Sequence, residues 1–224
     1  MKSTRLKSDN VFLFIPNIIG YVRIILYAIG FVAHTAGYWQ WCLICYLTAF
    51  LLDELDGFAA RKLNQQSQFG AALDMVTDRA ATAGLCLLLA QLFPSYLLFF
   101  ILLIALDISS HYYLLQATSM QADQNHKNTE RWSKNRLLNL YYGNKRFMDT
   151  LIVGNEFFYI LLYLNYYLRM SEPFAHALQL CQLLLWLTVP IYLLKQVTNI
   201  VQLQASAVCI AIADTQEYKA TNSH

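Results

Sequence analysis

Six runs of mostly apolar residues recur along the chain, at about 15–34, 39–60, 71–92, 95–117, 149–168 and 175–195, separated by polar breaks. Each approaches the roughly 20 residues that a helix needs to cross bilayer hydrocarbon at 1.5 Å rise per residue. The pattern predicts an all-α polytopic membrane protein with six transmembrane helices in one membrane-embedded domain over residues 1–224. A transmembrane β-barrel would show alternating segments of about ten residues, and these runs are too long and the turns too few. Residues 118–146 read as a polar loop between the fourth and fifth spans, its most polar part being "TSMQADQNHKNTERWSKNR". Residues 196–224 read as a tail, in which "QVTNIVQLQASAVCIAIADTQ" either extends the last span or lies along the membrane surface.

Composition agrees with the pattern. Charged residues are 13% of the 224 and hydrophobic residues 57%, whereas soluble domains carry about 25% charged residues. A net charge of +2 gives no field that would attract nucleic acid. The 16 Lys and Arg are distributed unevenly. Thirteen fall before the first span (Lys2, Arg5, Lys7), after the second (Arg61, Lys62), between the fourth and fifth (Lys127 to Arg146) and at or after the end of the sixth (Lys195, Lys219). The opposite breaks hold only Arg169. Positive charge collects on the cytosolic side, so both termini are expected there. The first run, broken by Pro16, Asn17, Gly20 and Arg23, reads as an uncleaved span rather than a signal peptide. Cys42 and Cys45 form a C-x-x-C pair with no second pair or histidine set, so the five cysteines read as small packing residues.

Against this background, "LLDELDGFAARKLNQQSQFGAALDMVTDR" (51–79) is anomalous, with Asp53, Glu54, Asp56, Asp74 and Asp78 in runs otherwise apolar enough for a bilayer. Asp53 and Asp56 are spaced i,i+3, and Asp74 and Asp78 i,i+4, so each pair shares a helix face. At 1.5 Å per residue all four lie within about 12 Å of one membrane surface. Four negative charges in low dielectric demand protonation or cations. Carboxylates suit hard ions such as Mg²⁺ or Mn²⁺, which often act on substrate phosphates. Gly57 and Gly70 remove side chains on the acidic faces, Arg61 offers a fork for an anion, and Ser67 offers a hydroxyl. These residue types suggest a diphosphate held by two metals and displacement at phosphorus. A membrane cation carrier is the competing reading of buried acids.

The same residues carry a resemblance. Asp53, Asp56, Gly57, Ala60, Arg61, Gly70, Asp74 and Asp78 match D-x-x-D-G-x-x-A-R, eight residues, G-x-x-x-D-x-x-x-D, the signature of the CDP-alcohol phosphotransferases. Outside it, "PNIIGYVRI", "LDMVTDR", "LDISSHY" and "GNEFFYILLYL" look like the eukaryotic phosphatidylinositol synthases, over about residues 10–200. The resemblance implies a six-helix enzyme, usually a homodimer, that takes CDP-diacylglycerol and myo-inositol and releases CMP and phosphatidylinositol. It implies two divalent cations, Mg²⁺ or Mn²⁺, on Asp53, Asp56, Asp74 and Asp78. It makes Asp78 also the catalytic acceptor of the inositol hydroxyl proton, and it puts Gly57, Arg61 and Ser67 on the CDP-diacylglycerol. It implies the endoplasmic reticulum membrane, with the Golgi as a second location, and a site facing the cytosol. The signature leaves the acceptor open among alcohols such as glycerol phosphate, serine or choline.

Weaker candidates complete the set. Asn17 and Arg23 either line the nucleotide pocket or make interhelical hydrogen bonds. Lys145 and Arg146 either attract the polyol or a phosphate, or are ordinary positive-inside residues. Asp107 reads as a brace rather than a catalyst.

Overall fold

The computed structural model describes residues 10–123, 135–170 and 175–221. Among them there are no strands, and seven α-helices carry the fold: α1 (Ile15–Thr35), α2 (Trp39–Lys62), α3 (Gln68–Leu92), α4 (Leu97–Asp123), α5 (Arg136–Gly143), α6 (Lys145–Arg169) and α7 (Ala175–Thr221). Among the described residues, four helical stretches are long and apolar enough to cross a membrane: Ile15–Thr35, Pro94–Met120, Lys145–Arg169 and Ala175–Thr215. With 24 and 25 residues, α2 and α3 have the length, but the acidic cluster makes them less apolar.

The helices run past two of the expected breaks. The stretch 118–146 is not all loop, because α4 continues to Asp123 and α5 forms inside it. The amide oxygen of Asn135 accepts from the backbone N–H groups of Leu137 and Leu138, which caps α5, and the short helix buries Leu138 and Tyr141 at i,i+3. The rest of that polar stretch, 124–134, lies outside the described residues. In the tail, the 47-residue α7 runs on as far as Thr221, the first of the two readings of that stretch.

The chain divides into two compact units, Met1–Gly84 and Leu85–His224. In the first, glycine and asparagine supply the turns. Gly37, with φ of 87°, follows α1, and the N–H groups of Gly37 and Tyr38 return to the carbonyls of His34 and Ala33. This left-handed helix end costs an L side chain steric strain that glycine avoids. Asn64, with φ of 52°, closes α2 in the same way, Gln65 N–H reaching the carbonyl of Ala60 at 3.0 Å. Along the α1–α2 seam, a Cβ on Gly30 would stand 3.1 Å from Cys45 Cβ and 3.2 Å from the Cys42 carbonyl oxygen. The C-x-x-C pair is therefore the small-residue groove in which α1 lies, and all five cysteines are free thiols.

In the second unit α7 packs on α4 and α6. Its inner face is polar: Lys195, Asn199, Gln202 and Ser206, at i, i+4, i+7 and i+11, are all buried. Lys195 donates to Asn199 and lies 5.3 Å from the centre of the Tyr141 ring. Gln202 donates to the Ser110 carbonyl at 3.0 Å and accepts from the Tyr142 hydroxyl at 2.6 Å. Buried polar groups persist where such partners offset their desolvation.

Candidate active site

The site grows from the way two helix ends meet. After Asn64 turns the chain out of α2, Gln65 reaches across to accept the Ile15 N–H at 2.9 Å, tying the connection to the start of α1. Ser67 then caps α3, its hydroxyl oxygen accepting the Gly70 N–H at 2.9 Å. The Ser67 O–H proton is left available to donate. A Cβ on Gly70 would lie 2.8 Å from Asn17 Oδ1 and 3.1 Å from Ser67 Oγ. The glycine therefore permits this three-way closure. We expect Gly70→Ala to push Asn17 and Ser67 apart and to raise KM for a ligand bound beside them several-fold while the protein remains folded. Steady-state kinetics with a thermal melt would check this.

Within this frame, one carboxylate oxygen each from Asp53, Asp56 and Asp74 lie within 4.8 Å of one another. Arg23 of α1 reaches all four aspartates. Its Nη1 is 2.7 Å from Asp56 Oδ2 and 2.8 Å from Asp74 Oδ1, and its Nη2 is 2.7 Å from Asp53 Oδ1 and 2.6 Å from Asp78 Oδ1. The Arg23 side chain is 1% exposed, against 47% for Asp74. Gly20, one turn before Arg23, lets α1 come close to α3, since a Cβ there would be 3.1 Å from Leu73 Cδ2. Arg79 makes a longer pair with Asp78, at 3.9 Å.

Beside the cluster is a cleft of about 200 Å³, lined by Asn17 and Gly20 of α1, Asp56, Gly57, Ala60 and Arg61 of α2, Gln65, Gln66 and Ser67 of the connection, and Gly70 and Asp74 of α3, among others. The N-terminal turns of α1 and α3 both border it, and helix N-termini favour anions through their free N–H groups and dipole. Asp56 and Asp74 belong to both cleft and cluster. An anionic ligand in the cleft would therefore need a cation between it and these carboxylates.

Comparison with known proteins agrees with this geometry. The family model for CDP-alcohol phosphatidyltransferase matches residues 13–213. The chain belongs to that family. It is 40% identical over 210 residues to the CDP-diacylglycerol–inositol 3-phosphatidyltransferase of Candida albicans, covering 94% of this chain and 87% of the relative. Over 217 residues it is 40% identical to the human enzyme of the same name, covering 93% and 96%. The Saccharomyces cerevisiae enzyme is 38% identical over 225 residues, covering 97% and 95%. No solved structure matches the chain.

For a CDP-alcohol phosphatidyltransferase the donor set suits a divalent ion, because carboxylate oxygens are the ligands hard cations prefer. The structure gathers Asp53, Asp56 and Asp74, with Asp78 joined to them through Arg23. Gly57, Arg61, Ser67 and Asn17 line the cleft. The Arg61 guanidinium folds over Gly57, 3.4 Å from where a Cβ would stand. Arg23 faces the carboxylates with both terminal nitrogens. Lys145 and Arg146 belong to the second unit, exposed at the start of α6, where Lys145 pairs with Asp149 at 3.6 Å. Asp107, also in that unit, accepts His111 as its neighbour at 3.6 Å. The sequence reading missed two features: Gln65 and Gln66 as cleft walls, and Arg23 as partner of Asp53, Asp56, Asp74 and Asp78 together. The second had a signal, because an arginine in an apolar helix needs an anion and four were available.

Proposed function

We propose that the chain transfers the phosphatidyl group of CDP-diacylglycerol to myo-inositol, giving phosphatidylinositol and CMP. The observation that carries this reading is the convergence of Asp53, Asp56 and Asp74 beside an anion-favouring cleft. The names of the 36–41% identical relatives support inositol as acceptor. Asp53, Asp56, Asp74 and Asp78 would hold two divalent cations, Mg²⁺ or Mn²⁺. Such ions, when bound, neutralise the diphosphate and lower the cost of charge on the departing CMP. Arg61 and Ser67 orient the diphosphate by charge-assisted and hydroxyl hydrogen bonds. Gly57 leaves room for the Arg61 guanidinium to lie along α2, and Gly70 lets Asn17 and Ser67 close at the cleft wall. Asp78 accepts the proton of the attacking inositol hydroxyl. A bond forms from that hydroxyl oxygen to the phosphatidyl phosphorus, and the bond from phosphorus to the CMP oxygen breaks.

The reading places six spans in the endoplasmic reticulum membrane, α2 and α3 included, with the site and both termini on the cytosolic side. Lysines and arginines concentrated on that side support the orientation. The reading includes a homodimer. Mixing the purified protein with CDP-diacylglycerol, Mn²⁺ and radiolabelled inositol should yield labelled phosphatidylinositol and equimolar CMP. Incorporation of serine or glycerol phosphate in place of inositol would reverse the choice of acceptor. Absence of CMP release with every alcohol would remove the enzyme reading.

A further inference from the structure

We infer that Arg23 is a built-in counter-cation of the aspartate cluster, competing with divalent ions for the same carboxylates and yielding contacts as they bind. The inference rests on the reading that these aspartates hold divalent ions, and it concerns what holds the cluster together before they arrive. Four ion pairs of 2.6–2.8 Å, three of them hydrogen bonds, put one guanidinium against one oxygen from each of four side chains. Asp53, Asp56 and Asp74, each with an oxygen within 4.8 Å of the others', are carboxylates that this one guanidinium bridges. A small hard cation binds oxygen at roughly 2.0–2.1 Å, so it must draw these oxygens closer than an arginine nitrogen does. The two cations therefore cannot share the same oxygens at their own preferred distances, and their like charges repel.

The surroundings of Arg23 point the same way. Among the described residues, its buried Nε has no hydrogen-bond partner, and the hydrogen bonds and ion pairs that hold its guanidinium all run to the aspartates. A buried guanidinium needs partners to offset its desolvation. This one is anchored by the groups an incoming ion would take. It keeps four mutually repelling carboxylates gathered in a low-dielectric setting, so the ion-binding geometry is preassembled, and it weakens ion affinity in return. Arg23 is on this account a positioning residue that acts through the aspartates.

Binding of Mn²⁺ to the purified full chain in lipid nanodiscs, followed by the electron paramagnetic resonance of free Mn²⁺, tests this without recourse to activity. Arg23→Gln should bind its first Mn²⁺ about tenfold or more tightly than the native protein. It should melt at lower temperature without metal and regain most of that loss at saturating Mn²⁺. Arg23→Lys keeps the charge but not the four-way fork, and should bind with intermediate affinity. Unchanged or weaker Mn²⁺ binding in both variants would overturn the inference. So would failure of Arg23→Gln to fold at saturating Mn²⁺, because the ions would then not replace the guanidinium. Native protein that binds no Mn²⁺, or binds it as well after Asp74→Asn, would instead remove the underlying functional reading.

Discussion

Replacing Asp78 by asparagine is expected to lower turnover by about 10²- to 10⁴-fold, the range that a positioned proton acceptor contributes. The substitution replaces one carboxylate oxygen by an NH2 group and removes the negative charge, while keeping the side chain's shape. The remaining side-chain oxygen still accepts from Arg23 Nη2, now at 2.6 Å from the aspartate, so the α1–α3 contact survives. Inositol would still enter, but its hydroxyl would lose the group that takes its proton as the oxygen–phosphorus bond forms. CMP release from CDP-diacylglycerol and inositol, measured beside a thermal melt of the same preparation, separates loss of chemistry from loss of fold. A folded variant that forms phosphatidylinositol at near-native rate would refute the role given to Asp78.

The second large effect is expected at Asp56. This is the buried member of the α2 pair, 8% exposed, and it is shared by the cluster, the cleft and Arg23. Asp56→Ala removes a ligand oxygen from the three that converge and a contact from Arg23. Metal-ion stabilisation of a transferring phosphoryl group is worth several kcal/mol, and each 1.36 kcal/mol is a factor of ten in rate. Activity should therefore fall by about 10³-fold or more at any practical Mn²⁺ concentration. Mn²⁺ affinity should fall in the same preparation, which a defect confined to substrate binding would not produce. Retained Mn²⁺ affinity together with retained activity would take Asp56 out of the site.

The helices were legible because their signal is local. Apolar runs of about twenty residues can be read without knowing what they pack against, and the run at 15–34 becomes Ile15–Thr35. The ends depended on turn chemistry that is also local, Gly37 and Asn64 marking the close of α1 and α2. The 47-residue α7 was harder. Its polar residues from Lys195 to Ser206 resemble a surface segment until α4 and α5 supply Ser110 and Tyr142 as partners. The short α5 was hidden in a stretch read as loop because eight residues carry too little periodicity. At the site, the spacing of Asp53 with Asp56 and Asp74 with Asp78 gave the helix faces correctly, since that follows from 3.6 residues per turn. Which cation the faces meet is a tertiary fact. Arg23 lies thirty residues or more before its partners, and Gly20 must first bring α1 close to Leu73.

The central claim is that the ends of α2 and α3 turn their aspartates toward shared divalent ions. Anomalous scattering at the manganese edge, from crystals of the protein grown with CDP-diacylglycerol and Mn²⁺, tests it most directly. The account predicts manganese at roughly 2.0–2.2 Å from oxygens of Asp53, Asp56, Asp74 and Asp78, with the diphosphate in the adjoining cleft. Manganese bound elsewhere, with Arg23 still holding all four carboxylates beside bound CDP-diacylglycerol, would contradict it.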